Sequence, residues 1–357
     1  MTDSSTDRLR VDDFDYELPA EAIAQAPSEP RDASRLLVLD RAMSRPGRPA
    51  LTEGRFADIG QWLSPAELLV VNDSRVLRAR LRGRRAGGGA AEVLLLRPLA
   101  DGRWEALVRP GRRLRPGAPV MLTSGDRLTI GETVGDGTRA VALPRDARAV
   151  MQEAGEMPLP PYITARRAPD DRYQTVYADP PGSAAAPTAG LHFTPRLLDE
   201  LTAAGVERAT VTLHVGLDTF QPLEGTFVDE HRIHREWYVV PPTTYRAIAP
   251  ARAKGRRVVA VGTTTTRVLE TMARTGEREG WTDLYIVPPH AYRSVDALIT
   301  NFHLPRSSLL LLVTAFVQDG MAGTSPLEAR DTLLAAYRAA LERGFRFYSF
   351  GDAMLIA

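Results

Sequence analysis

Three segments of the 357-residue chain combine small residues, hydroxyls and imidazoles in patterns that suit chemistry on a polar ligand. Residues 182–194 read GSAAAPTAGLHFT. The small side chains let backbone approach a ligand closely, Gly190 and Leu191 close the loop, and His192 and Phe193 supply a proton carrier and a stacking face. Residues 256–270 pass from basic residues through an apolar strand to Gly262, the threonines Thr263, Thr264, Thr265 and Thr266, and then Arg267 opening a helix. A threonine-rich helix start offers unpaired N–H groups and hydroxyls to a carboxylate or phosphate, although simple helix capping explains the same run. Residues 301–305 (NFHLP) follow a predicted strand and precede a helix capped by Ser307 or Ser308, which puts Asn301 and His303 where ligands collect in α/β sheets.

Of the six histidines, His214 lies in the alternating run 209–216, where a histidine is more often a satisfied structural residue than a catalyst. His231-x-x-His234 would put two imidazoles on one helical face, but with no cysteine and no HExxH pattern no metal site is expected. Asp218, Glu236 and Asp296 are the acidic candidates for removing a proton from an incoming amine. The chain lacks a Walker A loop, a GxSxG elbow and a strand followed by GxGxxG, which disfavours nucleotide hydrolysis, an α/β-hydrolase triad and a Rossmann cofactor site.

Elements that would position these residues are legible in the apolar patterning. Runs 36–39, 68–71, 209–215, 258–261 and 297–300 read as strands, 42–49 as a loop, and 345–350 as a closing strand. Residues 195–204, 309–316 and 326–343 have helical periodicity. Between residues 77 and 143 the texture changes to short apolar stretches separated by closely spaced Gly, Pro and Asp turn signals, which predicts a small antiparallel barrel or sandwich. The expected architecture is therefore α/β with an inserted all-β domain: a mixed-sheet α/β domain from residues 1–74 and 152–357, and a small β-barrel from 75–151.

Composition narrows the class further. A content of 44% hydrophobic and 25% charged residues is that of a globular protein. The absence of cysteine removes disulfides, Fe–S clusters and a thiol nucleophile. Residues 1–10 are polar and the longest apolar stretch, 309–313, is far short of the roughly 20 residues that cross a bilayer, so neither a secretory signal nor a membrane span is expected and a cytoplasmic location is. A net charge of +1 argues against binding nucleic acid by bulk charge and leaves room for a local basic patch. Arginine supplies all but one of the basic residues, the exception being Lys254.

The segments GSAAAPTAGLHFT, VTLHVG with TFQP, HRIHREWY, AVGTTTTR, VDALITNFHLP and YSFGDAMLI occur in the same order as in the S-adenosylmethionine:tRNA ribosyltransferase-isomerases of queuosine biosynthesis. With LLVVNDSRV, WEALVRPGRRL, MPLPPYI and RYQTVYA, the chain resembles that family from residue 14 to residue 356. The resemblance implies an α/β domain carrying a barrel. It also implies transfer of the ribosyl part of S-adenosylmethionine to the aminomethyl group of a 7-deazaguanine in the tRNA anticodon, with rearrangement to an epoxycyclopentanediol and release of adenine and methionine. By resemblance, His192, His214 and His303 are expected to be catalytic. Gly190, Leu191, Phe193, Thr263, Thr264 and Asn301 are expected to hold the cosubstrate. Arg75, Arg267 and Arg306 are expected to contact RNA, with no metal required.

The chain departs from the family pattern at Leu217 and Asp218, at Thr265 and Thr266, and at 287–290, where Pro289 and His290 replace a glycine and an aromatic residue. These departures motivate an alternative, a divergent S-adenosylmethionine-dependent enzyme acting on a small nucleoside or other amine. A non-catalytic RNA-binding protein is the third reading.

Overall fold

The computed structural model describes residues 8–65, 67–135, 137–165, 168–216 and 223–357. Two compact units emerge: a larger one from Met1–Ser74, Pro161–Pro180 and Pro187–Ala357, and a smaller one from Arg75–Pro160 and Pro181–Ala186.

The larger unit is built on a nine-stranded mixed sheet whose order is Glu279–Thr282, Glu236–Val239, Glu207–Leu213, Leu68–Asn72, Val258–Val261, Ala297–Asn301, Ala353–Ile356, Arg35–Arg45 and Arg48–Arg55. Its centre is parallel: Leu68–Asn72 lies between Glu207–Leu213 and Val258–Val261, and the latter pairs with Ala297–Asn301. Such strands are covered on both faces and so read as apolar runs rather than alternating, as LLVV and VVAV do before the polar Asn72 and the Gly262 turn that follow them. One face carries Leu69, Val71, Val259, Val261, Ala297 and Ile299, packed against Phe56, Phe193 and Leu197, Leu198 and Leu201 of the helix Pro195–Ala203. On the other face Leu68, Val70, Val258, Ala260 and Leu298 are equally buried. All four parallel strands end at the same edge, in Asn72, Leu213, Val261 and Asn301.

The smaller unit is a closed six-stranded antiparallel barrel in the order Arg80–Arg85, Ala90–Pro98, Trp104–Arg109, Thr138–Ala142, Arg127–Gly135 and Pro119–Leu122, the last pairing back onto the first. Closure leaves no unpaired barrel edge. It depends on Gly83, where a Cβ would stand 2.3 Å from the Met121 carbonyl oxygen across the closing pair. The helix Ala147–Ala154 and the two-residue strand Gly155–Glu156 belong to this unit, the strand pairing with Arg80–Arg85, so the barrel unit runs past residue 151.

Two sequence expectations are corrected. Residues 42–49 are a tight hairpin joining Arg35–Arg45 to Arg48–Arg55, with Gly47 at φ 69° making the turn. Residues 345–350 are an irregular turn rather than a strand: Phe345 and Phe347 are both buried, Tyr348 has φ 73°, and the last strand is Ala353–Ile356.

Candidate active site

The turn Thr188–His192 sits over the carboxyl edge of the parallel strands, its Ala189 Cβ standing 3.5 Å from where a Cβ on Gly262 would lie. Its conformation is imposed by size. A Cβ on Gly190 would fall 2.1 Å from the Tyr177 hydroxyl, so only glycine fits under that ring. The Arg31 guanidinium donates to the Leu191 carbonyl (3.3 Å), and Thr194 caps the following helix by accepting from Leu197 N–H (3.1 Å).

His192 is buried and both ring nitrogens are engaged. Asn301 Nδ2 donates to the Tyr348 carbonyl (3.3 Å), which can only accept, and Asn301 Oδ1 accepts from the Thr188 hydroxyl (2.9 Å). The amide orientation is thereby fixed, so Nδ2 also donates to His192 Nε2 (3.2 Å), and Nδ1–H donates to Ser34 Oγ (2.8 Å). Burial, reinforced by the nearby Arg346 and Arg31 guanidinium groups, brings the His192 pKa down to about 3. The imidazole is therefore neutral and acts on Asn301, which it holds at the strand end.

His303 is likewise buried, with its pKa down to about 3 from desolvation, and Nε2 lies 2.8 Å from the Thr300 hydroxyl. Its backbone is clamped by two tyrosines: Tyr337 Oη accepts from its N–H (3.2 Å), and Tyr16 donates to its carbonyl. His214 stands at the end of the neighbouring strand with Nδ1 2.9 Å from Ser74 Oγ, and desolvation lowers its pKa.

Between these groups the helix Thr263–Thr275 begins without a side-chain cap, because its N-cap is Gly262 at φ 89°. Thr265 and Thr266 turn back to bond the Val261 and Gly262 carbonyls, whereas the Thr263 hydroxyl has no partner among the described residues. Asn72 Nδ2 donates to Thr264 Oγ1 (3.2 Å), which leaves the Thr264 proton available to a ligand. Asn72 is itself locked by Leu213 and Ser74. The first turn thus presents N–H groups and two hydroxyls to an anion at the edge where Asn301, His214 and the Thr188–His192 turn meet.

The three arginines expected to touch RNA have different fates. Arg267 is only 4% exposed; it ion-pairs with the buried Glu236 and donates to the Leu284 carbonyl (3.2 Å), so it is a structural cation and cannot reach a phosphate. Arg306 is exposed, at φ 53°, with Asp12 3.6 Å away. Arg75 is exposed on the barrel unit's strand Arg75–Val76.

Other expectations are also revised. Glu236 is occupied by Arg267 and by Gly216 N–H (2.8 Å), which disfavours it as a base. Asp296 precedes its strand and accepts from Val258 N–H (2.8 Å), placing it at the opposite, amino edge. Leu217 and Asp218 lie outside the described residues. His231 and His234 lie in an irregular segment, so their spacing does not form a helical pair, and no group of three or more metal-ligating side chains occurs among the described residues. His290 is held against the helix Thr263–Thr275, 2.9 Å from Arg274 and 3.8 Å from Glu270.

Sequence reasoning missed Ser34, Asn72, Ser74 and Tyr348. For Asn72 and Ser74 the signal was present in the polar NDS that ends the apolar strand. Ser34 and Tyr348 reach the site only through tertiary contact. Asp73 was missed as well: it is buried at the same edge, accepts from the Thr212 hydroxyl (2.7 Å), and has its pKa raised by desolvation.

The geometry defines an anion-receiving polar edge on an α/β sheet. The family model described as queuosine biosynthesis protein matches residues 11–356, and the chain belongs to that family. An S-adenosylmethionine:tRNA ribosyltransferase-isomerase of Heliobacterium modesticaldum is 51% identical, over 96% of this chain and 98% of that protein. One of the same name from Rubrobacter xylanophilus is 49% identical over 98% of each. The crystal structure of S-adenosylmethionine tRNA ribosyltransferase from Thermotoga maritima is similar at TM-score 0.54 and 40% identity, covering 97% of this chain and all of that one.

Proposed function

We propose that the protein transfers and isomerises the ribosyl moiety of S-adenosylmethionine onto 7-aminomethyl-7-deazaguanine in tRNA, giving epoxyqueuosine-tRNA, adenine and methionine. The observation that carries this reading is the co-assembly of the family's own segments at one sheet edge, in a chain matched to the family over residues 11–356. S-adenosylmethionine supplies a sulfonium that acidifies the neighbouring ribose protons and departs as neutral methionine.

The protein's part is to bind, orient and exclude water. The uncapped start of Thr263–Thr275, with the Thr263 and Thr264 hydroxyls, suits the methionine carboxylate. Asn301, held by His192 and the Tyr348 carbonyl, suits a ribose hydroxyl at the neighbouring strand end. Gly190 and Leu191 lie in the close-packed turn beside them, whereas Phe193 is fully buried in the core against Phe56 and supports that turn from below instead of offering the expected stacking face. His214, the least buried of the three imidazoles at this edge, would handle protons, since His192 has both nitrogens bonded and His303 is as deeply buried as His192. No helix among the described residues is long and apolar enough to cross a membrane, and a cytoplasmic site of action, with the tRNA pool, goes with this reading.

The test is mass spectrometry of tRNA bearing the precursor base, incubated with the protein and S-adenosylmethionine, following modified nucleoside and released adenine together. Epoxyqueuosine with equimolar adenine is the expected result. Adenine without modified nucleoside would point to another acceptor, a reading that His290, engaged by Arg274, does nothing to favour.

A further inference from the structure

The barrel carries a feature that the ligand edge does not use. Residues 109–117 read RPGRRLRPG, four arginines and no acid in nine residues, against a net charge of +1 for the whole chain. Arg109, Arg112, Arg113 and Arg115 are all exposed, and none forms an ion pair or side-chain hydrogen bond among the described residues. Elsewhere in the barrel unit Arg82, Arg97, Arg103 and Arg145 are within ion-pair distance of carboxylates, and arginines without such a partner among the described residues, such as Arg127, Arg139 and Arg148, are scattered along the sequence rather than gathered in one loop. The acid opposite Arg109 across the strand pair is Glu92, which lies 3.7 Å from Arg80 and 3.8 Å from Arg82 instead.

The loop is also held in place. Leu114, at its centre, is fully buried and acts as a peg; its N–H and that of Arg113 both donate to the Pro110 carbonyl (3.2 Å each). At the far end Gly117 N–H donates to Ile130 carbonyl (2.7 Å) and Ala118 N–H to Arg115 carbonyl (2.9 Å). Four unpaired guanidinium groups on an anchored loop resist their own repulsion without local compensation, which is the arrangement expected where an external polyanion supplies it.

We propose that the Arg109–Arg115 loop of the barrel is a docking surface for the tRNA phosphate backbone. This rests on the reading that tRNA is the substrate, and assigns to the barrel a share of its affinity. Phosphate contacts position a nucleic acid without reading its sequence, so the loop sets affinity and salt dependence, while the sheet edge selects the base.

The experiment compares the full-length protein with a variant carrying Arg109→Gln, Arg112→Gln, Arg113→Gln and Arg115→Gln, and with the four Arg→Lys changes, leaving Leu114 intact. Affinity for a fluorescently labelled tRNA transcript is measured by anisotropy across salt concentrations. S-adenosylmethionine affinity and melting temperature are measured alongside. Expected for the glutamine variant are an affinity loss on the order of 100-fold at physiological salt and a log–log salt slope shallower by about 3, with cosubstrate affinity and melting temperature unchanged; the lysine variant retains most of the slope. At saturating tRNA the turnover of the glutamine variant equals that of the unaltered protein, the defect residing in KM. Unchanged tRNA affinity and slope in the glutamine variant, beside normal modification by the unaltered protein, overturn the docking surface alone. Failure of the unaltered protein to bind or modify tRNA overturns the functional reading beneath it.

Discussion

At the scale of single residues, the site depends on groups whose chemistry is set by what surrounds them. The Thr263 hydroxyl has no partner among the described residues, so Thr263→Val removes one ligand hydrogen bond while keeping shape. A bond to a charged group contributes about 1.5–3 kcal/mol, so S-adenosylmethionine affinity by calorimetry should fall roughly 10- to 100-fold with little change in melting temperature. Gly190→Ala drives a Cβ to 2.1 Å from the Tyr177 hydroxyl and should cost about 1–3 kcal/mol in denaturant unfolding. Tyr177→Phe in the same chain should recover part of that cost. The two buried imidazoles make a pH prediction. His192 and His303 have folded pKa values near 3 against an unfolded value of about 6.5, so the unfolded chain binds more protons as pH falls. Their neutral burial carries no penalty above pH ~6.5, and stability is lost on acidification from there towards pH 3, on the order of 1.4 kcal/mol per pH unit for each ring. His192→Gln should flatten unfolding free energy against pH between about 6.5 and 5, where carboxylates contribute least; an unaltered slope would refute the assignment.

Between elements, the buried Arg267–Glu236 pair fastens the helix Thr263–Thr275 to the strand Glu236–Val239. Removing one member of such a pair leaves an uncompensated charge in the interior and costs about 3–5 kcal/mol, whereas replacing both with apolar residues of similar volume is often neutral. Arg267→Met should therefore lower the melting temperature sharply, and Glu236→Met in the same chain should restore most of it. tRNA affinity of the restored double variant should match that of the unaltered protein, which separates this arginine from the exposed ones. Tyr348, at φ 73°, is a bulky residue in the left-handed region. Residues held there cluster at functional sites, and here the unusual backbone delivers the carbonyl that fixes Asn301.

Across the whole molecule, the larger unit draws its sheet from both ends of the chain. Ala353–Ile356 is inserted between Ala297–Asn301 and Arg35–Arg45, antiparallel to one and parallel to the other, and its side chains are fully buried. Burying Met354, Leu355 and Ile356 contributes about 2 kcal/mol each, a sum comparable with the net stability of a domain. A chain ending at Asp352 should accordingly lose the cooperative unfolding transition of the larger unit by calorimetry.

The class of fold was legible in the amino-acid order, because a buried parallel strand must be apolar throughout, as at 68–71 and 258–261, and a closed barrel must turn often, as at 77–143. That order also determined the family, through long ordered strings, and put glycine and threonine where a close turn and an open helix start require them. The partners of these residues come from the fold alone. His192 is legible as an imidazole, but Ser34 and Asn301, which make it a neutral orienting group, are 158 and 109 residues away. Arg267 and Arg112 are the same residue type, yet one lies buried against Glu236 and the other stands exposed on a pegged loop. Protonation, burial and ion pairing are set by groups brought together through the fold, and local spacing carries no record of them.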